Sequence, residues 1–200
     1  AWLLLMMLPA CLLVPAKPCG QQRLGQAILA VATASGRCCA VNMCLLLLTI
    51  GRRSAWLDQA GKSYPDAIPF HRVAGWWCVA QVVIHSVSFV AMFYRDGGWE
   101  SVWLFCLPLP AKSMLNVYGV TNTLGEVGTL ASVVLALTSK WWLRRQRYDL
   151  FYAAHVVTSA IFVGLGIFHD PAVLLYSIPG LGAYLLDRLA AFPSRSRLRP

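Results

Sequence analysis

Charged residues are scarce in this chain. Asp, Glu, Lys and Arg make up 12% of its 200 residues, whereas 58% of the residues are hydrophobic. A soluble domain carries about 25% charged residues, so the composition excludes an ordinary water-soluble domain. The apolar residues come in long runs, and about 20 in succession span the hydrocarbon core of a bilayer. The sequence therefore predicts an integral, multi-pass membrane protein built from packed helices.

Several cofactor-binding motifs are missing as well. The 7 cysteines form no CxxC pair, no zinc-binding spacing and no CxxCH haem-attachment motif. No GxGxxG loop for a dinucleotide is present. Most of the cysteines fall within apolar runs, where Cys behaves as a small hydrophobic residue. A disulfide between Cys19 and Cys106 is the alternative for that pair, because both residues are expected on one side of the membrane.

Six apolar segments predict an all-α, six-helix transmembrane bundle. They cover residues 1–14, 24–50, 70–94, 117–138, 150–168 and 172–189. The first is too short to span and is expected to be truncated, and the last is expected to be interrupted at Pro179-Gly180. Residues 95–113 are rich in Pro and Trp, and we expect them along the membrane interface, where tryptophans collect.

The net charge of +9 follows from where Lys and Arg are placed. Twelve of them lie in the loops after the second and fourth segments and in the tail, and four lie on the opposite side. The positive-inside rule then puts those three regions in the cytoplasm. The third and fifth segments therefore run parallel, from inside to outside. This distribution gives no reason to expect a nucleic-acid partner.

The chain contains only 4 histidines, and they form two equal spacings. His71 and His85 are fourteen residues apart on the third segment, and His155 and His169 are fourteen apart on the fifth. Fourteen helical residues rise roughly 21 Å and turn about 40° short of four full turns. Each pair thus shares nearly one helix face. Because the two helices are predicted to be parallel, His71 lies at the depth of His155 and His85 at the depth of His169.

Paired imidazoles at two depths are typical of haem ligation. Histidine is the commonest metal ligand, and imidazole suits haem iron. Two imidazoles per iron leave no open coordination position, which favours electron transfer over oxygen binding. A lone membrane histidine is more often a hydrogen-bonded interior or interfacial residue. Here the repeated spacing uses every histidine of the chain, and it predicts two stacked, non-covalently bound b-type haems between the third and fifth helices.

Three stretches carry a resemblance to a known family. "NMCLLLLTIGRRSAWLDQAGKSYPDAIPFHRVAGW" resembles the second helix, inner loop and third-helix start of ferric reductases and NADPH oxidases. "GVTNTLGEVGTLASVVLALTSKWWLRRQRYDLFYAAHVV" is similar to their fourth and fifth helices, and "YSIPGLGAYLLDRLAAF" to the sixth. The thirteen residues between the fifth-helix histidines favour the ferric reductase branch, because many NADPH oxidases have one fewer.

The resemblance implies that the haems and the nucleotide cofactors are bound by different domains. Residues 1–190 would be the haem-bearing membrane domain, and residues 191–200 would begin a linker to a missing or separate FAD/NADPH domain. Electrons would pass from cytoplasmic NADPH and FAD, both bound outside this chain, to an outer acceptor. The cofactors would carry the redox chemistry, so no catalytic side chain is expected.

Two arginines and one glutamate are weighed as secondary site residues. Arg37 lies fifteen residues before Arg52, roughly 22 Å above the inner boundary and near the depth of the outer haem. It is predicted either to pair with haem propionates or to snorkel to the interface. Arg72, beside His71, is a candidate for the inner propionates or an ordinary inner anchor. Glu126 is expected to pair with Arg37 or to hold a cation, or else to serve structure alone.

Phe162 is seven residues past His155, on the same face and midway between the two haem levels. It is predicted either to shorten the gap between the haems or to fill packing space. Three glycines are expected to let porphyrin edges approach the backbone or to serve helix packing: Gly75, Gly164 and Gly166.

The family resemblance, added to the paired histidines, implies the membrane domain of a ferric-chelate reductase in the plasma membrane, with extracellular ferric chelate as the acceptor. The nearest alternative is an NADPH oxidase, which reduces oxygen at the outer haem. A quinone-linked cytochrome b subunit also spaces its histidines in this way, but no PEWY-like motif is present. A non-redox transporter or scaffold is the remaining alternative, and it predicts no haem.

Overall fold

The computed structural model describes residues 21–51, 55–106 and 115–196, and these ranges form α-helices without any β-strand. The helices are α1 (Gln21–Thr49), α2 (Ala55–Gln59), α3 (Tyr64–Cys106), α4 (Leu115–Thr138), α5 (Trp141–Gln146), α6 (Tyr148–His169) and α7 (Pro171–Ser196). The all-α prediction is thus confirmed for the described ranges. The expected first segment, residues 1–14, lies outside them, so the count of six spanning helices stays a prediction.

Four of the described helices are long and apolar enough to cross a bilayer. These spans are Arg23–Thr49, Tyr64–Cys106, Val120–Thr138 and Tyr148–His169. Many of their large apolar side chains point outward, including Val73, Leu130 and Phe168. Such a surface would be unstable in water but suits contact with lipid tails. The prediction of an integral, multi-pass membrane protein is confirmed.

α3 consists of two helices joined at a kink. Gly97 and Gly98 have non-helical backbone angles, so the helix that carries the first histidine pair ends close to the predicted residue 94, and a second helix follows to Cys106. Gly98 has a φ of 64°, a value that L side chains rarely adopt and glycine accepts readily. Residues 99–106 of the expected interfacial segment form this second helix, and residues 107–114 lie outside the described chain. The position of the segment along the membrane interface stays a prediction.

The expected interruption of the last segment is not found. α7 is continuous through Pro179 and Gly180. Gly180 packs on the backbone of α1, where an added Cβ would lie 2.9 Å from the Cys44 Cα. Neighbouring helices commonly allow a Pro-Gly step in a membrane helix by compensating for the backbone groups it frees. The Pro-Gly step here marks a close helix contact rather than the end of a helix.

The long helices form a closed ring. α1 packs against α3 and α7, α4 packs between α3 and α6, and α6 meets α7. The two helices that carry the histidines, α3 and α6, are therefore not neighbours in the ring. α4 separates them on one side, and α1 and α7 separate them on the other. Any contact between their histidines has to be made across the centre of the bundle.

A small polar ladder aligns α1 with α3. The Asn42 amide donates to the Gln81 side-chain oxygen at 2.6 Å, and one turn away the Cys39 and Cys78 sulfurs are 3.5 Å apart. All four side chains are buried. Because an unpaired amide in an apolar interior is costly, the Asn42–Gln81 bond favours one register of these two helices. That register sets which residues of α1 face the histidines of α3.

Candidate functional site

The four histidines meet in two pairs across the centre of the bundle. The ring centroids of His71 and His155 are 6.2 Å apart, and those of His85 and His169 are 6.1 Å apart. All four rings are partly buried. We call His71 and His155 the inner pair and His85 and His169 the outer pair, after the orientation predicted from charge. The two histidines of each helix, fourteen positions apart, thus meet those of the other helix at two levels.

The separation within each pair can be tested against a shared metal. A metal–imidazole nitrogen bond is about 2.0 Å, so one iron midway between two imidazoles puts the ring centroids about 6 Å apart. The observed 6.2 and 6.1 Å fit that spacing. Directly hydrogen-bonded imidazoles would place their nitrogens about 3 Å apart, and the hydrogen bonds of these rings go elsewhere. The two pairs therefore fit an iron between each pair of rings.

Each ring uses its Nδ1 to bond a neighbouring helix. In the inner pair, His71 Nδ1 is 3.0 Å from the Thr49 hydroxyl and His155 Nδ1 is 3.0 Å from the Ser139 hydroxyl. In the outer pair, two backbone carbonyls accept from His85 and His169; they are Ala32 O at 2.7 Å and Thr121 O at 2.8 Å. α1 thus orients both histidines of α3, while α4 and the residue that follows it orient both histidines of α6.

These bonds determine which ring nitrogen carries the proton. A carbonyl can only accept, so the Nδ1 atoms of His85 and His169 must donate. The Thr49 hydroxyl has the Leu46 carbonyl 2.8 Å away as an acceptor for its own proton, which leaves its oxygen able to accept from His71. In His85 and His169 the Nε2 lone pair is left for a metal, and the same holds for His71 when it donates to Thr49. Metal-binding histidines usually have their other nitrogen held by such a partner.

The donor set favours haem over a bare metal ion. Within the described ranges, no three His, Cys, Asp or Glu side chains converge in a way that could hold a metal ion. Protein zinc sites need three or four protein ligands, whereas haem iron takes its equatorial ligands from the porphyrin and needs only axial ones. Two imidazoles at each level meet the haem requirement.

The space between the two pairs is filled by a packed cluster. Cys39, Met43, Cys78 and Phe162 form the buried hydrophobic core. Cys78 is seven residues from both histidines of α3, and Phe162 is seven residues from both histidines of α6. Phe162 is therefore buried midway between the two levels, where the sequence placed it. Whether it serves electron transfer as well as packing stays a prediction.

The secondary polar residues do not converge on the histidines. Arg37 and Arg72 are exposed, and neither forms a salt bridge among the described residues. Arg37 follows Gly36, which touches the His85 ring, so its backbone lies at the depth of the outer pair. Glu126 bonds the Cys106 thiol instead of the expected partner Arg37. Propionate binding by either arginine remains a prediction.

Sequence reasoning missed the residues that hold the rings. Thr49, Ser139 and the carbonyls of Ala32 and Thr121 carry no motif, because each acts from another helix. Close porphyrin approach at Gly75 and Gly164 stays a prediction. Sequence reasoning did not single out Gly36 and Gly125, which touch histidine rings. A glycine inside a helix costs stability, which signals close approach; this signal is present at all four positions and does not separate them.

The fold and the paired histidines define a class: a multi-pass helical membrane protein with two bis-imidazole levels. The sequence matches the family described as "Ferric reductase like transmembrane component" over residues 35–166. That match covers well over half of the chain, and the chain belongs to this family. It includes three of the four histidines, and His169 lies three residues beyond its end. The resemblance drawn from the three sequence stretches is confirmed.

Curated relatives carry related names. Ferric reduction oxidase 2 of Arabidopsis thaliana is 23% identical over 161 residues, which is 79% of this chain and 21% of that protein. A probable metalloreductase AIM14 of Meyerozyma guilliermondii is 41% identical over 122 residues, 60% of this chain and 22% of that protein. A probable ferric reductase transmembrane component of Eremothecium gossypii is 27% identical over 116 residues, which is 58% of this chain and 15% of that protein. The chain thus spans about a fifth or less of these relatives' length.

Proposed function

We propose that this chain is the electron-transferring membrane domain of a ferric-chelate reductase. It holds two b-type haems, the inner one by His71 and His155 and the outer one by His85 and His169. The observation that carries the proposal is the geometry of the two pairs, at 6.2 and 6.1 Å with every Nδ1 already bonded to a neighbouring residue. Family membership supports the same assignment.

Bound haem supplies reversible one-electron chemistry at each level. The chain's own residues determine the axial ligation, the orientation of the imidazole rings and the exclusion of water. Each histidine pair provides both axial nitrogens, so oxygen or a chelate finds no open position at either level. The carbonyls and hydroxyls on Nδ1 fix ring orientation, and such partners raise the basicity of a ligating imidazole. The buried core around Phe162 excludes water between the two levels.

The remaining parts of the proposal concern what lies on each side of the membrane. Cytoplasmic NADPH and FAD, bound by a domain outside this chain and joined through residues 191–200, donate the electrons. The acceptor is extracellular ferric chelate, and the membrane is the plasma membrane. The names of the relatives, which refer to ferric reduction and metalloreductases, favour a metal acceptor over oxygen.

Single histidine replacements test the pairing. His71→Leu and His155→Leu should each remove the same haem component from reduced-minus-oxidised spectra, and His85→Leu and His169→Leu should each remove the other. The unreplaced pair in every variant serves as an internal control for folding. Loss of the same component in His71→Leu and His85→Leu would mean that the levels are wrongly assigned.

The acceptor is tested by supplying a reductase. The chain, fused to a matching FAD/NADPH domain, should form ferrous iron from ferric chelate when NADPH is added, and superoxide dismutase should not suppress that rate. The dismutase is needed because superoxide itself reduces ferric chelates. If ferrous iron formation disappears with the dismutase, oxygen is the acceptor and the chain belongs to an oxidase.

A further inference from the structure

The outer pair is held by backbone, and the inner pair by side chains. His85 and His169 each bond a carbonyl inside a transmembrane helix, Ala32 O and Thr121 O. Each of these carbonyls is already the helical acceptor for the N–H four residues later. To reach such a carbonyl, an imidazole must lie directly on the helix surface. The size of the side chain that projects from the helix at this point determines whether the imidazole can reach the carbonyl.

At both carbonyls, the residue whose side chain would project toward the imidazole is a glycine. Gly36 is four residues after Ala32, and Gly125 is four residues after Thr121. An added Cβ at Gly36 would lie 2.7 Å from His85 Nδ1 and 2.9 Å from its Cε1. At Gly125 the Cβ would lie 2.8 Å from both Nδ1 and Cε1 of His169. Non-bonded carbon contacts are about 3.5–4.0 Å, so neither ring could stay in place beside alanine.

The inner pair has no such requirement. The Thr49 and Ser139 hydroxyls reach out to His71 and His155, so those rings do not rest on backbone. Among the described glycines, Gly36 and Gly125 are the two whose Cβ would meet a histidine ring. A general role in helix packing would not select the same carbonyl-to-glycine spacing twice, once for each ring of one pair.

We infer that Gly36 and Gly125 are positioning residues for the outer metal ligands. Each leaves a bare patch of helix on which one imidazole lies, with its Nδ1 proton on the carbonyl one turn earlier and its Nε2 toward the partner ring. This inference rests on the proposed function, because it assumes that the outer pair holds haem. A Cβ would push the ring outward by roughly 0.7–1 Å to restore ordinary contact, which breaks the Nδ1 bond and disturbs the 6.1 Å pairing.

The experiment compares Gly36→Ala and Gly125→Ala with Gly182→Ala in the full chain in native membranes. Gly182 lies on α7 and has no other-residue atom within 4 Å of an added Cβ, and no haem contact is expected there, so it is a matched control. Haem content, the electron paramagnetic resonance g-values of the oxidised protein and a redox titration are measured on each. We expect both positioning variants to lose the outer component or to shift its g-values and midpoint potential. The inner component should be unchanged, and Gly182→Ala should match the parent protein.

The signal of the inner haem shows whether each variant is folded, so a change in the outer haem alone can be assigned to the replaced glycine. Unchanged outer g-values and potential in both variants, or equal damage to both components, would overturn the positioning role. His85→Leu is measured alongside to separate this inference from the function it rests on. If His85→Leu removes one haem while Gly36→Ala changes nothing, only the positioning role fails. If His85→Leu leaves haem content at the parent level, the haem assignment itself fails.

Discussion

Replacing Thr49 by valine removes the hydroxyl that bonds His71 Nδ1 and keeps the shape of the side chain. The bond is 3.0 Å long, and the Thr49 oxygen accepts in it when the hydroxyl proton lies on the Leu46 carbonyl, 2.8 Å away. A ring that donates from Nδ1 is a more basic ligand, and a more basic ligand stabilises the ferric over the ferrous state. Thr49→Val should therefore raise the midpoint potential of the inner haem.

The size of the shift follows from the strength of one hydrogen bond. A net contribution of about 0.5–1.5 kcal/mol, realised mainly in the ferric state, corresponds to roughly 20–60 mV for a one-electron couple, since about 59 mV is a tenfold change in equilibrium constant. The outer potential should stay within error, because His85 and His169 bond other residues. Haem content should remain at the parent level.

The assay is a potentiometric titration of the full chain, with the two haems resolved by their α-band spectra. Thr33→Val is the matched control, since the Thr33 hydroxyl bonds only carbonyls of its own helix, Leu29 at 2.8 Å and Ala30 at 3.2 Å. An unchanged inner potential in Thr49→Val would refute the role given to this bond. Equal shifts of both haems would refute its assignment to the inner level.

Two further predictions concern the scaffold, and both are read from thermal unfolding of the detergent-purified protein. Gln81→Leu leaves the buried Asn42 amide without its partner and should lower the free energy of unfolding by about 1–3 kcal/mol. Joint replacement of Asn42 and Gln81 by leucine should cost less than the sum of the two single changes. Additive losses would mean that the bond contributes nothing. Gly180→Ala should lower the unfolding temperature, because a Cβ there would collide with the Cys44 backbone, and Gly182→Ala, which has open space, should not. Equal behaviour of the two alanine variants would argue against the close contact of α1 and α7.

The sequence predicts the level of each histidine because only local geometry is needed. Long apolar runs identify the helices, and fourteen residues return a helix to nearly the same face. The charge bias then makes α3 and α6 parallel, which is enough to match His71 with His155 and His85 with His169. Phe162 follows from the same counting, at seven residues from each ligand of its helix.

The supporting contacts could not be predicted because they depend on how different helices pack. Thr49 contacts a residue twenty-two positions away and Ser139 one sixteen positions away. No periodicity within one helix reveals such pairs. The Pro179-Gly180 step shows the same limit, since it looks like a break in isolation but lies in a continuous helix against α1. Glycine in a membrane helix can signal packing, a bend or ligand approach, and only the three-dimensional contacts distinguish Gly36 from Gly164.

The most direct measurement of the central claim is the haem stoichiometry of the purified chain. A pyridine haemochrome assay, referred to protein mass by quantitative amino-acid analysis, identifies the haem type and counts it. The paired imidazoles at 6.2 and 6.1 Å predict two b-type haems per chain. A value of one would leave one pair without its metal, and a value of zero would contradict the haem assignment altogether.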